Sequence, residues 1–485
     1  MMDDSHLYLT RLLSKKGVNL STVKEEVINE FIRDKKISNS IQTISNLQNS
    51  IMQAWEIKTR IINFKNESLQ LPNAKENIPY SYVFENDFFT NKNVSTIEFK
   101  DLETLGLTFD LDTLTIEGIP SKSGDFKIQI LFNVNGEPDL ETPHSKQINF
   151  VVNPDPKSLW KDLPSDKNDL FWKEDNDSGH ESFEDKSIIF SSKRGRSHKN
   201  VGSFRDDHAA FKHFDRTGWT VVSVSDGAGS AIFSRQGSKI ACESLIEYFE
   251  NEMPLRELVE FEEEIQFFSE HKDEVRFESA KNEWIRSLYK AVLFVNKKIH
   301  EESEKVKSEH PDKYASKAVK YPVEHFHSTL IFTLFKKFDI GYLVSTFSVG
   351  DCPIGIINKG SNNATLLNWL DVGEFGGGTR FITQPEIFHS TDRPMSSRFT
   401  VRLIEDFSYL FLMTDGIYDP KFEVEANLDK TSKWLEFIED LKGDNEDGIA
   451  VNFEEQPSLI HENLGKWMDF WSKGNHDDRT LAIIF

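Results

Sequence analysis

Three rhythms of apolar residues follow one another along the chain. Over residues 1–72, Ile37, Ile41, Ile44, Leu47, Ile51 and Trp55 recur at steps of three and four, which predicts a helical segment with one apolar face. Such a face packs into a helical bundle or onto a neighbouring domain, or takes a partner helix where the repeat is short. Past Pro72 the period changes to two. Phe126, Ile128, Ile130, Phe132 and Val134 alternate with polar residues, as do Ile148, Phe150 and Val152, with turn formers between the runs. That spacing predicts a small antiparallel β-sandwich over 76–153; Asp110 and Asp112 fall in a hairpin turn of it. Residues 154–186 have almost no periodicity, and between Lys161 and Lys186 nine acidic side chains face four basic ones. This predicts a mobile acidic linker, with Trp160, Phe171 and Trp172 able to dock locally. A third domain is expected over 187–485.

In that last domain the apolar strands share a punctuation: each ends in aspartate. RDDHAAFKHFDRTGWTVVSVSDG reads as a hairpin turning at Asp215–Gly218. Antiparallel pairing brings Asp206 and Asp207, at its start, to the same sheet edge as Asp226, at its end. Asp351 follows the second strand of STLIFTLFKKFDIGYLVSTFSVGD. SYLFLMTDGIYD puts Asp415 after a strand and Asp419 one helical turn on, and NHDDRTLAIIF puts Asp477 and Asp478 before the last strand. Carboxylates gathered at one edge repel one another unless protons or cations neutralise them. With no histidine and cysteine ligand set, hard oxygen donors point to Mg²⁺ or Mn²⁺.

The bulk numbers narrow the classes of partner. A 485-residue chain can hold two or three domains, and its net charge of −23 repels nucleic acid and anionic membranes. Cys242 and Cys352, in a helix and after a strand, offer neither zinc spacing nor a disulfide framework. The N-terminus lacks a basic start and an apolar stretch, and no run reaches the ~18–20 apolar residues that cross a bilayer. The expected location is the cytoplasm.

In order along the chain, VSDGAGSA, HSTL, SVGDCP, LMTDGIYD and HDDRTLAIIF resemble the type 2C-like metal-dependent protein serine/threonine phosphatases. GRSHKNVGSFRDDHAAF and GEFGGGTRFIT (373–383) are similar to their bacterial branch. The resemblance covers about 190–485 and implies an α+β fold, a four-layer α-β-β-α sandwich. It further implies that Asp226 bridges two Mn²⁺ or Mg²⁺ ions, with the Gly227 carbonyl on one of them and Asp206 on the second, often through water. Asp207 would orient metal-bound water, Asp415 and Asp477 would complete the first shell, and Asp351 and Asp419 match positions for a third, weaker ion. Two such ions lower the pKa of a shared water and offset charge on phosphoryl oxygens. The implied substrate is a phosphorylated protein, with a cognate kinase as signalling partner. Separately, GLTFDLDTLTIEGIPSKSGDFKIQI resembles the immunoglobulin/cadherin-like repeats of bacterial proteins.

Two positions depart from the phosphatase pattern. Gly202 stands where many relatives have a phosphate-gripping arginine, leaving Arg196, Arg205 or Arg235 as substitutes. Ala228 stands where some have a proton-donating histidine; His198 could serve instead, or be structural. These departures keep a second function open, a catalytically degenerate module of the same fold that binds a phosphoprotein or nucleotide.

Overall fold

The computed structural model describes residues 4–138, 142–183, 185–315, 317–361, 363–371, 378–391, 393–472 and 474–485. The chain divides into two compact units between Leu159 and Trp160. No helix among the described residues is long and apolar enough to cross a membrane.

The first unit opens with three helices, α1 (Asp4–Lys15), α2 (Glu25–Arg33) and α3 (Lys35–Asn66). Leu9, Ile28, Ile32 and Ile41 form their shared core. The helical rhythm of α3 is as expected, but its packing is not. Only Ile41 of the predicted face is buried, while Ile44, Leu47, Ile51 and Trp55 are exposed. The helix is gripped at its two ends, since Ile61 and Phe64 enter the core of the sandwich that follows.

That sandwich has one sheet of β1 (Ala74–Lys75), β7 (His144–Asn153), β6 (Gly124–Val134) and β3 (Val94–Lys100), in that order. The other joins β2 (Tyr80–Val83), β5 (Thr115–Gly118) and β4 (Leu107–Asp110). Alternate residues Ile128, Ile130, Phe132 and Val134 point into its core. One pairing departs from the antiparallel expectation: β1 runs parallel to β7. Asp110 accepts the backbone N–H groups of Asp112 and Thr113, so it closes a turn.

The second unit is a mixed α and β structure with two facing sheets. One runs β10 (His208–Phe214), β11 (Trp219–Ser225), β12 (Leu330–Phe338), β13 (Gly341–Val349), β16 (Phe399–Ile404). The other runs β15 (Ala364–Leu366), β14 (Ile354–Asn358), β17 (Phe407–Met413), β18 (Arg479–Ile484), β9 (Lys186–Lys193), β8 (Asn176–Phe183). Val222, Val224, Ile331, Ile354, Leu412 and Ile484 fill the space between them. A short helix, α4 (Arg196–Val201), follows β9. Helices α5 (Ser234–Glu247), α6 (Leu255–His271) and α7 (Glu274–Glu309) bury the outer face of the first sheet around Trp219 and Leu288. Helices α8 (Asp415–Phe422), α9 (Thr431–Leu441) and α10 (Pro457–Trp467) bury that of the second around Trp434 and Leu464. The expected α-β-β-α layering is therefore present.

Much of the stretch expected as a mobile linker is built into this unit. Residues 176–183 are the edge strand β8, paired antiparallel to β9 from Asn176↔Lys193 to Phe183↔Lys186. An edge strand with one face in solvent keeps charged residues, so its NDSGHESF sequence hides it. Upstream, Arg194 bonds Asp175 and the Leu163 carbonyl, Arg205 the Glu174 carbonyl, and Arg235 the carbonyls of Leu170 and Phe171. Three arginines thus clip residues 163–175 onto the fold.

Candidate metal centre

Strand pairing delivers the aspartates to one edge. The register His208↔Ser225 leaves Asp207 and Asp226 just beyond the paired ends of β10 and β11. Asp226 is fixed through its backbone: its N–H donates to Thr329 Oγ1 at 2.8 Å, and its carbonyl accepts Thr329 N–H at 2.8 Å. Gly227 follows because nothing larger fits. A Cβ there would lie 2.6 Å from the Asp206 carbonyl oxygen and 2.9 Å from its Cβ. Gly416 likewise lets the first turn of α8 pass against the carbonyl of Asp478. Asn475 links the far side, donating to Asp419 Oδ2 at 3.1 Å while its own oxygen accepts Asp477 N–H at 2.8 Å. Asp207 Oδ2 accepts the hydroxyls of Thr414 and Thr480, each at 2.8 Å.

The electrostatics are those of a crowded acidic cluster. Burial raises the Asp226 pKa well above the usual range, and the carboxylates of Asp415, Asp207, Asp477 and Asp351 raise it further. Asp415 is raised in the same way, by burial and then Asp477, Asp351, Asp207 and Asp419. Burial and Asp478 push Asp206 up to about 7 against the pull of His198, Lys173 and Arg235. Burial and Asp478 likewise push Asp207 up to about 7 against its two threonine donors. Asp351 and Asp477 are raised mainly by burial. Only Asp478 ends lower, because His198 and the N–H groups of Gly195 and Asp206 outweigh its burial.

The residues present fit divalent cations. Asp351 Oδ2 accepts the Thr379 hydroxyl at 2.5 Å, while its Oδ1 is buried and, among the described residues, has no donor. Ligand atoms of Asp226, Asp351 and Cys352 lie within 4.8 Å of one another. Burial and the neighbouring carboxylates raise the Cys352 thiol well above its usual pKa, so oxygen remains the available ligand. A second group, His198, Asp477 and Asp478, meets the same distance but is already an ion pair. His198 Nδ1 lies 3.0 Å from Asp478 and Nε2 3.4 Å from Asp477. Burial alone would lower the His198 pKa, but the carboxylates of Asp478, Asp206 and Asp477 push it up to about 10.

Asp206, Asp207, Asp226, Gly227, Asp351, Asp415, Asp419 and Asp477 are therefore neighbours, as their positions at strand ends predict. The substitute arginines differ in what occupies them. Arg205 is 2% exposed and spends its donors on Glu174, Ser192 and Asp207. Arg235 lies over the Phe204 ring, with its donors on main-chain carbonyls. Arg196 bonds the Asp469 carbonyl and lies over Trp471. Arg205 and Arg235 are thus held by protein acceptors, whereas Arg196 is half-buried and, among the described residues, its Nε–H has no acceptor. In the motif 373–383, residues 373–377 lie outside the described residues.

One placed residue had no assigned role and one contributor escaped the sequence. Asp478, expected beside Asp477 before the last strand, accepts from Gly195 N–H at 2.6 Å and from Asp206 N–H. Lys173 Nζ donates to the Asp207 carbonyl at 2.7 Å. Standing in a stretch without periodicity, it gave no signal.

The sequence profile of the family described as Protein phosphatase 2C matches residues 194–449. No curated protein matches the chain. Among solved structures, the chain is similar to the serine/threonine phosphatase Stp1 from Staphylococcus aureus at 15% identity, covering 61% of this chain and 93% of that one, with a TM-score of 0.34. The S. agalactiae serine/threonine phosphatase is 14% identical over 62% of this chain and 99% of its own, TM-score 0.34. The catalytic domain of the phosphatase PstP, solved with two manganese ions, is 13% identical over 64% and 97%, TM-score 0.33.

Proposed function

This chain belongs to the protein phosphatase 2C family, and on that premise we propose that it hydrolyses phosphoserine and phosphothreonine in proteins with two Mn²⁺ or Mg²⁺ ions. The observation that carries the reading is the mutual repulsion of Asp207, Asp226, Asp351, Asp415 and Asp477, beside a buried Asp351 oxygen that no donor among the described residues satisfies. A protein tolerates such crowding where cations offset it. Asp226, Asp415, Asp477, Asp206 and the Gly227 carbonyl would hold two ions, and Asp351 with Asp419 a third. Bound there, the ions would supply an activated water and charge stabilisation at the phosphoryl group.

The protein's own contribution is placement. Thr414 and Thr480 fix one oxygen of Asp207 and leave the other free to accept from a water molecule. Asp478 holds the Asp206 amide and the His198 ring together, so His198 carries its positive charge into the cluster as a counter-ion. With Ala228 after the Asp-Gly pair, no histidine stands there to protonate the leaving alcohol. Ala228, in place of a proton-donating histidine, favours the second reading, a phosphoprotein-binding module without turnover. Calorimetric titration with Mn²⁺, run beside p-nitrophenyl phosphate turnover, separates the two. Metal binding with turnover supports the phosphatase, whereas metal binding alone supports the module.

A further inference from the structure

Although the chain carries a net charge of −23, three arginines gather around one carboxylate at the rim of the aspartate cluster. Asp371 Oδ1 accepts from Arg393 at 2.7 Å, and its Oδ2 accepts from Arg398. Burial lowers the Arg398 pKa, its bond to Asp371 raises it, and the guanidiniums of Arg393 and Arg380 lower it again. All three cations therefore share one neighbourhood, where, among the described residues, Asp371 is the carboxylate bonded to Arg393 and Arg398. Among the described residues, the buried Nε–H groups of Arg393 and Arg398 have no acceptor. Arg380 is exposed and, among the described residues, its side chain has no hydrogen bond or ion pair.

This patch adjoins the candidate centre. Asp371 N–H donates to the Gly350 carbonyl at 2.7 Å, and Arg380 N–H to the Asp371 carbonyl at 3.2 Å. Thr379, the residue before Arg380, gives its hydroxyl to Asp351. On the outer side Trp369 is 79% exposed, with its carbonyl bonded by Arg393 and its ring 5.8 Å from that guanidinium.

We propose that Arg380, with Arg393 beside it, forms a subsite for a second anionic side chain of the phosphoprotein substrate, a carboxylate or another phosphate. The inference rests on the phosphatase reading above and names the substrate class of that site. An extended peptide advances about 3.3–3.6 Å per residue, so positions within three residues of the phosphoserine span about 10 Å on either side of it. Arg393 is kept oriented by its Nη1 bond to Asp371 and its Nη2 bond to the Trp369 carbonyl, while the exposed guanidinium of Arg380 can pair with the ligand bidentately.

The test uses full-length protein in Mn²⁺ and phosphoserine peptides that differ only in carrying Gln, Glu or phosphoserine at one position within three residues on either side. Where peptides turn over, kcat/KM is compared; fluorescence anisotropy gives Kd for the same set with or without turnover. Glu at the preferred position raises kcat/KM, or lowers Kd, about three- to fivefold over Gln, the range of one partly exposed ion pair. Arg380→Gln brings that ratio to one, and Arg380→Lys restores part of it. A gain with phosphoserine alone identifies the ligand as a second phosphate; a gain with Glu as well identifies any anion. Equal values for the three peptides, or a preference that survives Arg380→Gln, overturn the subsite. A binding preference without turnover of any peptide leaves the subsite standing and overturns the phosphatase reading instead.

Discussion

The ammonium of Lys173 donates to the main-chain carbonyl of Asp207 at 2.7 Å, so a residue upstream of the family match is part of the candidate centre. The same segment satisfies Arg194, Arg205 and Arg235. Each hydrogen bond to a charged group is worth about 1.5–3 kcal/mol, a large share of the total stability of a domain. A fragment beginning at Trp160 is expected to unfold as one cooperative unit. A fragment beginning at Ser187 is expected to have a urea midpoint well below it, or to be insoluble. Equal midpoints for the two fragments would show that the clipped segment contributes nothing.

Two glycines of one motif are expected to respond differently to the same change. A Cβ on Gly227 would meet Asp206, whereas one on Gly229 would meet nothing within 4 Å. Gly227→Ala should destabilise the protein by about 1–3 kcal/mol, the usual cost of overpacking. It should also raise the Mn²⁺ concentration needed for half-maximal activity, because Asp206 must shift. Gly229→Ala should stay within about 0.5 kcal/mol of wild type. Urea unfolding of both variants checks the contrast, which similar losses would refute.

The metal-free protein should lose stability as pH rises. Asp206 and Asp207 have folded pKa values pushed up to about 7, above the ordinary carboxylate value of about 4. Their contribution is present below the unfolded pKa and is lost as pH climbs towards 7. His198, pushed up to about 10, adds a loss of the same sign from its unfolded pKa of about 6.5 upwards. Asp478, lowered in the folded state, loses its contribution only as pH falls below this range, and Lys173, lowered to about 7 by burial, opposes the trend only above pH 7. Melting in EDTA should therefore give a higher Tm at pH 5 than at pH 8, and saturating Mn²⁺ should shrink the gap. A Tm in EDTA that rises from pH 5 to pH 8 would contradict this balance.

Asp226→Asn should separate stability from function. Removing one charge from the cluster that Asp415, Asp207, Asp477 and Asp351 share relieves repulsion in the metal-free state. A gain of about 1 kcal/mol corresponds to roughly 2–4 °C for a domain of this class. The variant should melt higher than wild type in EDTA yet gain less from Mn²⁺. Calorimetry in the two conditions decides, and a lower Tm in EDTA would count against the repulsive cluster.

The layout of the second unit was legible because its strands are long apolar runs that stop at aspartate. TVVSVSDG and LFLMTDG announce both the buried strand and the carboxylate beyond it, and antiparallel pairing alone brought Asp207 to Asp226. Asp415 follows a strand of the other sheet, so its meeting with Asp226 depends on how the two sheets face each other. Chemistry that depends on main-chain partners was not legible. Nothing in the letters around Arg205 or Arg235 shows that carbonyls of residues 170–174 would occupy them. Strand β8 was hidden because an edge strand keeps charged residues. In α3 the rhythm gave the helix correctly, but a period cannot say whether the face is covered. Ile41 is buried while Ile51, on the same face, is 68% exposed.

The account turns on metal-dependent hydrolysis at the aspartate cluster. Phosphate release from a phosphoserine peptide tests it most directly, using full-length wild type, Asp226→Asn and Asp477→Asn, each in Mn²⁺ and in excess EDTA. The account predicts turnover by wild type in Mn²⁺, its loss in EDTA and return with added Mn²⁺, and little activity from either variant while both remain folded. Undiminished turnover in EDTA, wild-type rates from both variants, or no release by folded, Mn²⁺-loaded wild type would contradict it.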